Sequence, residues 1–86
     1  MKRYRVEFTP SARREFLKLP DAVVVRLTPR ILALGKNPRP TGSKKLSVQE
    51  NIYRIRIGDY RVLYEIQDKV LVVLVMKVGH RREIYR

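Results

Sequence analysis

The chain is 86 residues long, which is the length of one domain covering residues 1–86 and excludes a two-domain enzyme. Lysine and arginine total 20 against 8 acidic residues, so the net charge is +12, and a hydrophobic content of 44% excludes a disordered basic tail. Cysteine is absent and His80 is the single histidine, which excludes thiolate chemistry and leads us to expect neither a metal site nor a cofactor.

Residues 2–8 alternate between apolar and charged side chains, and this period of two predicts a half-buried strand. Thr9 and Pro10 follow, and both are typical of a helix start, because threonine caps free backbone N–H groups and proline tolerates the first helical position. Apolar residues then recur at spacings of four and three, which predicts a first helix with one face turned toward the core.

A second helix is predicted over about residues 21–35, after the interruption at Pro20. Pro29 lies inside it, and because proline removes a backbone hydrogen bond and clashes with the preceding turn, we expect a kink or a division into two short helices. Gly35 is a typical helix end. Two helices joined by so short a turn predict an antiparallel helical hairpin.

Three strands close the chain after an irregular loop that is rich in proline and glycine. Residues 52–57 and 60–67 alternate, and Gly58 begins a two-residue link of the kind that forms a type II′ turn. Residues 70–78 are apolar on both faces, which is typical of a central strand. The element order β-α-α-β-β-β predicts an α+β domain, in which a four-stranded antiparallel β-sheet carries the N-terminal helical hairpin on one face.

The two-residue turn determines how the strands on either side of it pair. Arg56 then lies opposite Arg61, and both share one face of the sheet with Arg54. Two arginines directly opposite each other repel, and guanidinium groups suit phosphate, so the three residues predict a phosphate-binding surface. The alternative is a solvated basic face in which Glu65 pairs with Arg54. The other face is predicted to pack on the helices, and it carries Tyr53, Ile55, Ile57, Tyr60, Val62, Tyr64 and Ile66.

The basic residues outside this hairpin each allow a functional and a purely structural interpretation. The last segment could fold back over the sheet face that carries Arg54, Arg56 and Arg61, which would bring Arg81 and Tyr85 to these arginines and let Tyr85 stack on a base. The alternative is a solvated tail. Lys44 and Lys45 either contact an RNA backbone or lie in a solvated loop. His80, taken alone, is more typical of a surface histidine than of a catalytic one.

Charge and hydropathy predict a cytoplasmic protein with a polyanion partner. The basic residues at the start are not followed by the apolar segment of a signal peptide. The longest apolar run, residues 70–76, is far shorter than the roughly 20 residues that a membrane helix needs, so we expect no membrane contact. The large positive charge favours binding to nucleic acid, to the ribosome or to an acidic protein.

The stretch YRIRIGDYRVLYEI over residues 53–66, followed by VGHRREIYR over residues 78–86, resembles the RelE toxins. These belong to the RelE/ParE superfamily of bacterial and archaeal toxin–antitoxin systems. The resemblance implies a metal-independent endoribonuclease, an mRNA interferase that cleaves mRNA in the ribosomal A site and so inhibits translation. In that reaction the ribose 2′-hydroxyl attacks the adjacent phosphate and the 5′-oxygen leaves.

The resemblance also implies residue roles. Arg61 matches the arginine that stabilises the phosphate, and Arg81 matches the one taken as general acid or leaving-group stabiliser. Tyr85 matches the tyrosine that stacks on the mRNA. Arg54 and Arg56 stand where some relatives carry two lysines, one of them proposed as the general base.

Arginine is a poor proton acceptor, so Arg56 suits phosphate binding and charge stabilisation and not proton removal. Other nucleases of the superfamily use a glutamate base and a histidine acid, so the resemblance makes Glu50, Glu65 and His80 the candidates for proton transfer. We place His80 first because it adjoins Arg81 and because histidine is the side chain type that exchanges protons most readily at neutral pH. The candidate catalytic residues are therefore Arg56, Arg61, Arg81, Tyr85 and His80, and the candidate RNA-binding residues are Lys44, Lys45, Arg54 and Arg82.

The resemblance further implies a cognate antitoxin with an acidic toxin-binding segment, besides the ribosome and mRNA. Operator DNA is expected to be bound only through the antitoxin complex. Two alternatives stay open. One is a ParE-like inhibitor of DNA gyrase, and the other is a non-enzymatic basic module that binds RNA or DNA.

Overall fold

The computed structural model describes residues 2–80. They form a five-stranded mixed sheet in the order β1-β5-β4-β3-β2, with β1 parallel to β5 and all other neighbours antiparallel. No helix in this part of the chain is long and apolar enough to cross a membrane. The elements are β1 (Arg5–Phe8), α1 (Pro10–Leu17), α2 (Asp21–Ala33), β2 (Lys44–Ser47), β3 (Ile52–Ile57), β4 (Tyr60–Gln67) and β5 (Val72–His80).

The α+β class is confirmed, but the predicted four-stranded antiparallel sheet is wrong in two respects. Lys44–Ser47 forms a fifth strand at the edge of the sheet, although four residues with two lysines carry no alternation that would reveal it. β1 runs parallel to β5, its neighbour in the sheet, and all the other elements lie between these two strands in sequence. The interpretation of the strand near the C-terminus as a central strand agrees with the strand order, since β5 lies between β1 and β4, but the strand spans Val72–His80 and not residues 70–78.

The start of α1 is as predicted, whereas the helical pair differs in detail. Thr9 Oγ1 accepts the N–H of Ala12 at 3.1 Å, and Pro10 occupies the first helical position. α1 lies closest to β5 and β1, and residues 18–20 connect it to α2. α2 continues through Pro29 without division, because Leu27 and Ile31 on either side of it are buried in the core.

Gly35 follows α2, and a close approach of two backbones requires it. Tyr4 donates its N–H to the Gly35 carbonyl at 2.8 Å. A Cβ on residue 35 would lie 2.7 Å from the Tyr4 carbonyl oxygen, which is closer than real side chains allow. Glycine is therefore needed here by the packing of α2's end against the start of β1.

Both helices pack on one face of the sheet and enclose a single core. Val62 and Tyr64 of the central strand β4 have no exposed surface. The Tyr64 hydroxyl donates to the Pro38 carbonyl at 2.7 Å, and burial raises the pKa of Tyr64 to about 12. The core consists of Ala12, Leu27, Ile31, Leu34, Tyr53, Ile55, Ile57, Val62, Tyr64, Ile66, Val73, Val75 and Val78.

Candidate active site

The β3–β4 hairpin places the predicted arginines as the alternation indicated. Gly58 has a φ of 62°, as the first residue of a type II′ turn requires, and Arg56 pairs with Arg61. Arg54 lies two residues before Arg56 on the same face, opposite Leu63. Arg54 and Arg61 are each only 8% exposed, whereas Arg56 is exposed. The structure therefore brings three guanidinium groups to one side of the hairpin.

β2 adds a fourth cation to this side. Lys44 pairs with Arg54, so the two share a face, and we call Lys44, Arg54, Arg56 and Arg61 the basic face. Lys45 points to the other side, where its Nζ lies 5.7 Å from the centre of the Tyr53 ring. Because successive residues of a strand alternate in direction, the two adjacent lysines are divided between the faces.

A groove next to the basic face extends it toward α2. It has a volume of about 500 Å³, and none of the described residues that line it is acidic. Arg30 of α2 lies at this groove, although nothing in the helical pattern around Pro29 marked it as a site residue. Only the packing of α2 beside β3 reveals it. The lining consists of Arg30, Thr41, Gly42, Lys44, Arg54, Ile55 and Arg56.

His80 is not brought together with the basic face. It pairs with Tyr60 on the helix side of the sheet, and the two rings meet edge to face with their centres 5.6 Å apart. Gly79, not His80, pairs with Arg61. The cause is an irregularity at Met76, where β5 carries one more residue than β4 and later side chains change faces.

Glu50 and Glu65 lie toward the other end of the hairpin. Glu65 pairs with Ile52 and accepts a hydrogen bond from Gln67 Nε2 at 2.8 Å. It is four residues from Arg61 along β4, which corresponds to roughly 13 Å. Glu50 lies in the turn between β2 and β3, where its N–H donates to Ser47 Oγ at 3.3 Å. Neither carboxylate is beside the Arg56–Arg61 pair.

Comparison with known proteins identifies the family. The family model described as the ParE toxin of the type II toxin–antitoxin system parDE matches residues 6–85. The chain belongs to the RelE/ParE superfamily of toxins. The toxin RelG of Mycobacterium tuberculosis is 33% identical over 84 residues, which is 96% of this chain and 97% of RelG. The mRNA interferase toxin RelE of Escherichia coli is 30% identical over 86 residues, covering 95% and 90% of the two chains.

The fold agrees with this membership. The crystal structure of the toxin–antitoxin complex RelBE2 from Mycobacterium tuberculosis matches with a TM-score of 0.79 at 32% identity, over 92% of this chain and 99% of that chain. The family model that matches this toxin is described as ParE, whereas the similar proteins reported above are named RelG and RelE. The choice between a nuclease and a gyrase inhibitor therefore has to come from the site itself.

Three of the predicted site residues of this toxin lie outside the described residues. They are Arg81, Arg82 and Tyr85. The last described residue is His80, and Gly79 beside it pairs with Arg61, so the chain continues toward Arg81 from a point next to the basic face. Among residues 2–80, no three histidine, aspartate or glutamate side chains come together in a way that suits a metal ion.

A polar cluster that sequence reasoning missed holds the loop that leads to β2. Arg39 donates through Nη2 to Asp68 Oδ2 at 3.0 Å and through Nε to the Tyr53 hydroxyl at 3.0 Å, and the Tyr4 hydroxyl donates to the other Asp68 oxygen. The hydrogen bond from Arg39, followed by that from Tyr4, lowers the pKa of Asp68. The hydrogen bond to Asp68 raises the pKa of Tyr4. These residues are far apart in sequence, so no local motif predicts the cluster.

Proposed function

We propose that this toxin is a ribosome-dependent, metal-independent endoribonuclease that cleaves mRNA in the ribosomal A site. The observation that carries the proposal is the direct pairing of Arg56 with Arg61, beside Arg54 and Lys44, on a single rigid sheet face. Four cations at one place repel each other, and an RNA phosphate relieves that repulsion. A relative at 30% identity is named an mRNA interferase, which supports the same activity.

The proposed chemistry is attack of a ribose 2′-oxygen on the adjacent phosphorus. The 2′-hydroxyl proton passes to water, the bond from phosphorus to the 5′-oxygen breaks, and the departing oxygen takes up a proton, which leaves a 2′,3′-cyclic phosphate and a 5′-hydroxyl end. Arg61 and Arg56 bind the non-bridging phosphate oxygens and stabilise the charge that grows on the phosphorane. Their backbone lies in paired strands above a packed core, so the donors need little reorganisation during the reaction. Arg81 is proposed to stabilise or protonate the leaving oxygen, and Tyr85 to stack on a base.

The remaining basic residues are proposed to hold the RNA. Lys44 and Arg54 continue the basic face away from the hairpin turn, so they suit phosphates next to the scissile one. Arg82 is proposed to contact the RNA from the end of the chain. Lys45 lies over Tyr53 on the other side of the sheet, so it contacts RNA only where the RNA extends beyond the edge strand β2 to that side.

His80 requires a modified role, because the sheet separates it from Arg61. In this arrangement the arginines act by stabilising charge, and the His80 ring packs against Tyr60 on the helix side of the sheet. The proposal therefore assigns the acceleration mainly to electrostatic stabilisation and positioning of the 2′-oxygen for in-line attack.

We also propose a cognate antitoxin as partner, alongside the ribosome and mRNA in the cytoplasm. The solved relative from Mycobacterium tuberculosis is a toxin–antitoxin complex. A net charge of +12 favours an antitoxin with an acidic toxin-binding segment, because opposite charges speed association. Operator DNA is proposed to be bound only through that complex.

The test is cleavage of mRNA on programmed ribosomes by the wild-type toxin and by Arg61→Ala. We expect cleavage by the wild type and a loss of about 100-fold or more in the variant, as for removal of one transition-state donor. RNA binding should largely survive in Arg61→Ala. A parallel loss of binding and of growth arrest, with no cleavage by the wild type, would instead identify a non-enzymatic binding module.

A ParE-like gyrase inhibitor is the second candidate, and the family description favours it. The paired arginines of the basic face favour the nuclease over this candidate. Supercoiling by purified gyrase in the presence of the toxin distinguishes the two. Inhibition of supercoiling without any mRNA cleavage would decide for the gyrase inhibitor.

A further inference from the structure

Glu15 of α1 lies beside the end of β5, beyond the last residue of β5 with which β1 pairs. β1 pairs with β5 only as far as Phe8 and Val75, whereas β5 continues along β4 to His80. Over residues 76–80 the outer edge of β5 therefore has no strand neighbour in the described part of the chain. Backbone N–H groups at such an edge need another acceptor.

The Glu15 carboxylate provides that acceptor. Its Oε1 accepts the N–H of Val78 at 3.1 Å, and its Oε2 lies 3.9 Å from Lys77 Nζ. Val78 is only 3% exposed, so water has little access to this residue. An ionised carboxylate is a stronger acceptor than a neutral carbonyl. α1 reaches this edge because Thr9, just before it, donates its N–H to the Val75 carbonyl at 2.9 Å.

The part of β5 that Glu15 holds is the part beside the proposed RNA site. Val78 pairs with Val62, and the next residue, Gly79, pairs with Arg61. A shift of the end of β5 would move Gly79 relative to Arg61. It would also move His80, to which Arg81 is directly bonded in the chain. Small displacements of this kind reduce rates strongly when a site depends on fixed donors.

We propose that Glu15 is a positioning residue of the nuclease site. Its carboxylate replaces the missing strand neighbour of β5 and keeps Gly79 in register with Arg61. The role rests on the proposed function and deepens it, because Glu15 acts on the site through the backbone of Val78 and contacts no RNA itself.

The experiment compares Glu15→Ala and Glu15→Gln in the full-length toxin, with Glu7→Ala as the matched control. Glu7 is an exposed acid of β1 that pairs with Arg5 at 3.2 Å and lies away from the held edge. The glutamine variant keeps an oxygen acceptor of the same length but loses the charge. One readout, amide hydrogen exchange by NMR, does not depend on activity, and the other is steady-state cleavage on mRNA-programmed ribosomes, which gives kcat and KM.

We expect Glu15→Ala to accelerate exchange of the Val78 amide about tenfold or more, with the Val73 amide of the same strand unchanged, because only the strand end loosens. Cleavage by Glu15→Ala should lose about tenfold or more in kcat with KM within about twofold, since positioning and not RNA binding is affected. Glu15→Gln should restore most of both properties, and Glu7→Ala should match the wild type.

Several outcomes would overturn the role. Unchanged exchange at Val78 in Glu15→Ala would show that the carboxylate does not hold the strand. Faster exchange with unchanged kcat would show that the held edge does not position the site, and equal acceleration across all of β5 would show a general structural role. A wild-type toxin without cleavage would overturn the proposed function and the positioning role with it, whereas the exchange result would still stand for the Glu15–Val78 contact.

Discussion

Arg56 and Arg61 are direct cross-strand partners in the β3–β4 hairpin, although both carry a positive charge. The pair is the second one from the Gly58 turn, after Ile57 and Tyr60, and the two linking residues fix the strand register there. Like charges at directly opposite positions reduce stability, so the pair is unfavourable for the fold by itself. Under the proposed function, binding of an RNA phosphate by both guanidinium groups accounts for the pair.

The first prediction concerns this pair. Arg56→Gln should raise the free energy of unfolding of the antitoxin-free toxin by about 0.5 kcal/mol, because the repulsion is removed. The same substitution should lower mRNA cleavage about 100-fold, because one phosphate donor is lost. Urea unfolding and cleavage on programmed ribosomes measure the two effects. Arg14→Gln, an exposed arginine of α1, is the control and should change neither.

The second prediction concerns His80. His80→Gln should keep cleavage within about threefold of the wild type and leave the pH–rate profile unchanged, because the ring packs against Tyr60 away from Arg61 and a general acid or base would contribute far more. A loss of two orders of magnitude, or removal of a pH-dependent limb near neutrality, would show that His80 takes part in proton transfer after all.

The third prediction concerns Asp68, whose pKa is lowered by the hydrogen bond from Arg39. A lowered pKa in the folded state means that this stabilisation is present above the unfolded pKa of about 4 and is lost as the pH falls through the folded pKa. Asp68→Asn should therefore lower stability near neutral pH and remove part of the acid destabilisation below pH of about 4.

The size of the Asp68 effect should be small, at most about 1 kcal/mol, because both partners are nearly half exposed and solvent screens the pair. Thermal unfolding of the wild type and of Asp68→Asn across acidic pH measures it. Added salt should reduce the difference between the two proteins. Identical acid unfolding curves would contradict the assignment.

The fourth prediction concerns Gly58. A Cβ at this position would overlap the guanidinium end of Arg26, and its φ of 62° is unfavourable for other residues. Gly58→Ala should therefore lower the free energy of unfolding by about 1.5 kcal/mol, mainly from the backbone, with a smaller steric part because the exposed end of Arg26 can move aside.

Two further variants separate these terms. Gly42 also has a positive φ, of 93°, but no atom lies within 4 Å of a Cβ added there. Gly42→Ala should therefore lower the free energy of unfolding by about 1 kcal/mol, from the backbone strain alone. Adding Arg26→Ala to Gly58→Ala should recover the steric part. Equal losses for Gly42→Ala and Gly58→Ala would show that the Arg26 contact is relieved without cost.

Local patterns in the sequence determined the hairpin and therefore most of the basic face. The alternation of residues 52–57 and 60–67, with a two-residue link between them, leaves one pairing that buries the apolar side, and Arg56 then has to meet Arg61. The helix start at Thr9 is equally local, because the cap bonds a backbone group only three residues away. Such features depend on neighbours in sequence, which the sequence displays directly.

Only the tertiary structure decided which other residues join that face. The irregularity at Met76 turns His80 to the helix side, the pairing of Lys44–Ser47 with β3 divides Lys44 from Lys45, and the packing of α2 brings Arg30 to the groove. The parallel pairing of β1 with β5 likewise joins strands more than 60 residues apart. These features arise from contacts between distant segments, and the period of a strand or helix shows which side of an element is apolar but not which element lies beside it.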